Sequence, residues 1–196
     1  MRRLLILLSV TLVSVIGLSA QTAGWQLDKS HSRVSFSVKH MLISEVSGNF
    51  REFDIALSSV KDDYSDAAVE ATINVASINT ENERRDNHLK SDDFFSAEKF
   101  AEIKFKSTSI EKVGENRFKI HGHLAIRDST KSVSFDAENT GTLKTSRGTL
   151  AGWKATISVN RFDYGLKWDR TVETGGLVAG DTIYITLTLE YRKPNS

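Results

Sequence analysis

The sequence predicts an all-β chain: at least seven alternating strands that favour an antiparallel barrel over a sandwich, interrupted by one short polar helical insertion. Three observations carry that expectation. After residue 30 the chain alternates apolar and polar residues in run after run, joined mostly by short turns. Between two of these runs, residues 77–105 become polar and helical and then deliver a cluster of phenylalanines. The face that the alternation turns inward is rich in large aromatic side chains. That suits a barrel closed around a ligand better than a sandwich, which fills its own interior.

Ahead of the strands, residues 1–20 read as a signal peptide. Arg2 and Arg3 form a basic start, and Leu4 to Leu18 an apolar run short of the ~20 residues that span a bilayer. Cleavage is expected after Ala20, with Ser19 as the alternative. Residues 21–196 then form one domain, periplasmic or secreted, with no stable membrane anchor. Basic residues number 26 against 25 acidic ones. Losing Arg2 and Arg3 leaves a charge of about −1, which gives no general attraction for nucleic acid. With no cysteine, neither disulfides nor thiol chemistry contribute.

The first strand follows His31, with Val34, Phe36, Val38 and His40 on one face and Arg33, Ser35, Ser37 and Lys39 on the other. A second runs through Val46 to Phe50. Its apolar parity then shifts to Phe53, Ile55 and Leu57, which predicts a bulge near Arg51 and Glu52. Past an acidic loop at 61–66, a third strand turns Val69, Ala71, Ile73 and Val75 inward. The insertion comes next. Thr80-Glu81-Asn82-Glu83 has the form of a capping box, Glu81 to Lys90 is polar apart from Leu89, and Ser91-Asp92-Asp93 opens a turn bearing Phe94 and Phe95. A polar lid over an aromatic mouth fits this stretch, and so does an ordinary helix on the rim of a sheet.

Ala101, Ile103 and Phe105 lead to a turn at 113–116, after which Phe118, Ile120, Leu124 and Ile126 share a face. A turn at 128–131 precedes Val133, Phe135 and Ala137. Gly148 begins a strand with Trp153, Ala155, Ile157 and Val159 inward, and Arg161 continues that parity toward the cavity's end. Gly175-Gly176 with Gly180-Asp181 reads as a turn before the last strand, Ile183 to Tyr191.

Few residues suggest chemistry. His121 and His123 share a strand face at a metal-ligating spacing, but no third ligand is in register and the face is polar; they read as surface histidines, and no metal or cofactor is expected. His40 ends an apolar face, as a satisfied core histidine, a contact to a ligand's head group or a base. Asp86 and His88 lie two apart on a helix and cannot face each other, whereas Arg84 with His88, and Arg85 with Leu89, can. These charges suit a rim for a polar or anionic head group, or a capped surface helix. The chain lacks a Gly-x-Ser-x-Gly elbow and a phosphate-cradling loop. No catalytic residue is assigned, and an enzyme is not expected.

Several ordered motifs run through the chain: Trp25-Gln26-Leu27-Asp28, Phe36-Ser37-Val38-Lys39-His40, Val46-Ser47-Gly48-Asn49-Phe50, Arg85-Asp86-Asn87-His88-Leu89, Asp93-Phe94-Phe95 and Asn160-Arg161-Phe162-Asp163-Tyr164-Gly165. On these the chain resembles the YceI-like family, secreted lipocalin-like barrels that bind polyisoprenoid or other long-chain amphiphiles. It departs from the family at Ala101 and Ser132, where proline is usual, and at Asp128, where glycine is common. The resemblance implies a lipocalin-like eight-stranded antiparallel barrel, with the helical insertion beside the cavity mouth and an isoprenoid-like tail inside. Strand parity supplies the wall, Phe36, Val38, Phe50, Val75, Phe105, Leu124, Ile126, Phe135, Trp153 and Ile157. Phe94 and Phe95 stand at the mouth, and His40, Arg85, His88 and Arg161 on the rim. The expected partner is a long-chain lipid or isoprenoid, carried or scavenged; a homodimer through a strand edge or the mouth is left open. A rim-acting enzyme or quinone-linked redox partner, and a solid-core structural or adhesion module, are the alternatives.

Overall fold

The computed structural model describes residues 24–171 and 177–195. The expected signal peptide and the Gly175-Gly176 turn lie outside the described residues. The alternating runs form strands β1 (Gln26–Leu27), β2 (Arg33–His40), β3 (Ser44–Phe50), β4 (Phe53–Ser58), β5 (Ala68–Asn74), β6 (Ile78–Asn79), β7 (Glu102–Lys112), β8 (Arg117–Ile126), β9 (Ser129–Thr145), β10 (Gly148–Asn160) and β11 (Ala179–Lys193), with helix α1 (Glu83–Lys90) between β6 and β7. All belong to one antiparallel sheet in the order β4-β5-β7-β8-β9-β10-β11-β2-β3-β6, and β1 pairs with β11.

That order places β3 and β4, neighbours in the chain, near opposite margins of the sheet. The expected bulge at Arg51 and Glu52 is therefore a corner, where the chain crosses the seam of a curled sheet. The Arg51 amide donates to the Ser77 carbonyl (3.1 Å), the Glu52 amide to Ser77 Oγ (3.0 Å), and the Asn74 amide to the Glu52 carbonyl (2.9 Å). At the other end of the seam Trp25 bridges to Leu57, and the Tyr191 hydroxyl donates to the Ile55 carbonyl at 3.1 Å. The sheet thus closes into a barrel by stitches at both ends, without a continuous ladder along the seam. The short β1 and β6, and the break between β3 and β4, account for a strand count above eight.

Wall side chains need room as well as parity. A Cβ at Gly48 would collide with the Phe36 ring, and one at Gly122 with the Phe105 ring and the Lys106 carbonyl. Both glycines sit directly across the ladder from, or beside, the phenylalanine that lies over them.

The β8–β9 turn is Arg127-Asp128, and Ser129 already pairs with Ile126, so the turn expected at 128–131 is shorter and earlier. Arg127 adopts a positive φ of 56° and donates from Nη1 to the carbonyls of Phe94 and Gly165, both at 2.8 Å, tying the insertion to the barrel's end. The β2–β3 turn places Met41 (φ 50°) and Leu42 (φ 66°) in the left-handed region, closed by the Ile43 amide on the His40 carbonyl. Bulky residues there cost about 1–3 kcal/mol each.

Candidate functional site

Helix α1 is capped by Asn82, whose side chain accepts from the Arg85 amide at 3.0 Å; the capping-box reading put this cap at Thr80. Thr80 is buried and does something else. Its amide and hydroxyl donate to Asp86, while its hydroxyl oxygen and carbonyl accept from Arg85 Nε (2.8 Å) and Nη2 (2.7 Å). The network holds Arg85, His88 and Leu89 as one stripe facing the barrel, the spacing a helix requires. Arg84 is exposed on the other side and does not pair with His88.

Below this helix lies a cavity of about 320 Å³, its wall almost wholly apolar. That volume is in the range of small-molecule sites. Its floor is aromatic. Tyr64 meets Trp153 edge-on at 4.8 Å and Phe118 at 6.3 Å, and Trp25 backs Tyr64 at 5.8 Å. Phe36, Val38, Phe50, Phe105, Leu124, Ile126 and Phe135 form the wall, with Phe105 against Phe135 at 5.1 Å.

Two expected wall residues are not on it. Val75 begins a 3-10 turn, because β5 ends at Asn74, whose side chain caps that turn; the side chain is buried behind the wall. Ile157 is half-buried beside the core where β10 has lost its β9 partner, after Thr156. There the 3-10 turn at 161–164 contributes Tyr164 to the lining, with Leu166 just beyond.

The mouth gathers the remaining candidates. Phe95 packs edge-on against Phe50 at 6.1 Å. His88 stands between Phe94 (5.1 Å) and Trp168 (5.5 Å), and its Nε2 bonds the Asp93 carboxylate at 2.9 Å. The partner of His88 is thus the aspartate beyond the helix, not Asp86. His40 lines the cavity from the end of β2, opposite Ala179.

Arg161 is the most buried of the rim residues, at 3% exposed. Its Nε donates to the Gly180 carbonyl (2.8 Å), Nη2 to Ala179 (3.0 Å) and Nη1 to Leu166. These bonds use only part of the guanidinium's donor set. Burial lowers its pKa, while Asp181 and Asp169 pull the other way. Among the described residues, no ion pair joins Arg85, Arg127 or Arg161 to a carboxylate. The hydrogen bonds these arginines make at the mouth therefore go to neutral oxygens, and Arg127 Nε is buried without a partner among the described residues.

His121 and His123 point outward, His121 near Glu111 (3.7 Å) and His123 near Ser132 (3.4 Å). Sequence reasoning missed Tyr64, Tyr164, Leu166 and Trp168 as lining residues. Tyr64 sits in the acidic loop, which folds onto the Asp66 carboxylate through Ser59 Oγ (2.7 Å) and the Val60 amide (3.0 Å) and so drives the ring inward. A lone aromatic within a charged loop was the available signal.

A curled antiparallel sheet around an apolar cavity, with a helix and a few polar groups at one end, defines a lipocalin-like barrel. Residues 25–191 match the YceI-like domain, and the chain belongs to that family. A UPF0312 protein of Staphylococcus aureus is 37% identical over 166 residues, covering 84% of this chain and 94% of that one. The Campylobacter jejuni YceI crystal structure is 32% identical with a TM-score of 0.69, covering 87% of this chain and 98% of that one. A polyisoprenoid-binding domain from Saccharophagus degradans shares the fold at a TM-score of 0.64 and 14% identity, over 87% of this chain and 98% of its own.

Proposed function

We propose that this protein is an exported binding protein that holds the tail of a long-chain amphiphile in its barrel, as a carrier or scavenger. The ligand class is a polyisoprenoid, an isoprenoid quinone or a fatty-acid-like lipid. The observation that carries the reading is the apolar cavity itself, roofed by a polar helix and floored by aromatic rings. Membership of the YceI-like family and the fold shared with a polyisoprenoid-binding domain support the same class.

The energetics fit reversible holding. Burying about ten methylenes from water contributes ~8 kcal/mol, the scale of micromolar affinity. A membrane offers the same tail nearly the same environment, so net transfer between membrane and protein is close to balanced. Orientation then falls to the mouth, where Arg161, Arg85 and His40 face the cavity. Arg161 has donors to spare for an acceptor oxygen on the head group.

Phe105 and Leu124 sit across from each other on β7 and β8. A charge placed there, as Phe105→Asp or Leu124→Lys, is expected to abolish retention of a long-chain fluorescent probe in a variant that still shows the native far-UV spectrum. A folded variant that retains the probe contradicts the proposal. The rim-acting enzyme has one observation in its favour, the His88–Asp93 pair, an arrangement that can orient a base. On that reading His88→Ala eliminates turnover and leaves probe retention intact.

A further inference from the structure

The β2–β3 hairpin ends in a feature that the cavity does not use. Met41, Leu42 and Ile43 are 42%, 66% and 89% exposed, three bulky apolar side chains in succession at the tip. None of them lines the cavity. Met41 and Leu42 also hold a positive φ in a turn position where Asn-Gly is the favoured pair, so the residues present serve neither the turn nor solubility.

We propose that this tip is a docking element for a lipid bilayer surface. Three points favour a bilayer over a protein partner. The patch is small: three side chains on one turn fall short of the ~800 Å² per partner that a stable protein interface buries, whereas shallow insertion between head groups needs no matching surface. The tip is continuous with the cavity mouth. His40 and Val38, which precede it on β2, line the cavity, as does Val178, whose carbonyl accepts from the Met41 amide at 3.0 Å. The charges beside it balance, Lys39 lying opposite Glu45 across the ladder, so insertion is apolar in origin. The docking rests on the tip alone; that it serves ligand exchange rests on the lipid-binding reading above.

The test is flotation of the purified protein with vesicles of phosphatidylethanolamine and phosphatidylglycerol. It compares wild type with Met41→Asn/Leu42→Gly, which suits the turn, and with Leu42→Ser/Ile43→Ser. Each large apolar side chain withdrawn from the bilayer is expected to lower partitioning by about tenfold or more. The Asn-Gly variant should keep or raise the melting temperature. Uptake of parinaric acid from aqueous solution should be unchanged in both variants, while uptake from vesicles slows in step with partitioning. Wild-type protein that does not float, or variants that float as wild type does, overturn the docking proposal. So does a concentration-dependent dimer that both variants abolish, which would assign the tip to a second copy of the chain. Docking lost in the variants, with no parinaric acid taken up by wild type from either source, sustains the docking and counts against the lipid-binding reading instead.

Discussion

Both ends of the barrel are built from rings packed edge-on or tilted, yet they are held in different ways. At the floor, Tyr64, Phe118 and Trp153 meet at 4.8–6.3 Å, all are buried, and the Tyr191 hydroxyl clamps β11 to the Ile55 carbonyl beneath them. At the mouth, His88, Phe94 and Trp168 meet at 5.1–5.5 Å, but only Phe94 is fully buried. What fixes the mouth is polar: Asp86 and Arg85 on Thr80, Arg127 on Phe94 and Gly165, Arg161 on Leu166, Ala179 and Gly180. Apolar burial makes a permanent plug, whereas a mouth set by hydrogen bonds to backbone carbonyls keeps its rings placed but partly open. Such an asymmetry suits a site filled and emptied from one end.

Truncating one ring at each end measures the difference. Trp153→Ala is expected to cost about 3–5 kcal/mol in denaturant unfolding, as for a large buried ring, and Trp168→Ala on the order of 1 kcal/mol. Equal losses would remove the distinction between the ends. Arg161→Met comes next. It strips the donor from three carbonyls at the mouth and is expected to destabilise by on the order of 3 kcal/mol, with faster release of a bound probe. A loss of stability with no change in release would make Arg161 a structural strut alone.

Tyr191→Phe, at the floor, is expected to cost about 1 kcal/mol and to leave probe release unchanged. Burial pushes the Tyr191 phenol well above its ordinary pKa, so its hydrogen bond persists through the alkaline range in which exposed tyrosines ionise. The smallest effect lies outside the cavity. Hydrogen bonds from Ser30 and His31 hold the Asp28 carboxyl below its usual 3.8, and Asp28 raises the His31 imidazole above its usual 6.5. The lowered carboxyl contributes stability above pH 3.8 that is lost as pH falls. The raised imidazole contributes below pH 6.5 and loses it as pH climbs through the folded value. Stability from this pair is therefore greatest between those limits, and Asp28→Asn should flatten both flanks of the profile.

What the sequence made legible followed period-two alternation. Phe36, Val38, Phe105, Leu124, Phe135 and Trp153 could be placed because a strand leaves each side chain only two faces. The corner at Arg51 and Glu52 was not legible, since a parity shift looks the same whether one strand bulges or two strands part. Val75 failed for a related reason: the alternation runs on past Asn74 although the chain turns into a 3-10 helix there. The mouth was read as a set of residue types and not as a geometry. His88 finds Asp93 because the turn after α1 folds back, a contact that helical spacing cannot anticipate, and Tyr64, Leu166 and Trp168 lie in non-periodic segments. Parity was also the guide to Arg161, which continues the inward face of β10 to the cavity's end, though its deep burial was not legible.

The most direct test is mass spectrometry of an organic extract of the protein, purified without detergent from its native compartment. A long-chain species at close to one per chain is the expected result, and its head group would show which of Arg161, Arg85 and His40 to substitute next. An empty extract from well-folded protein that also refuses an added apolar probe would contradict the account.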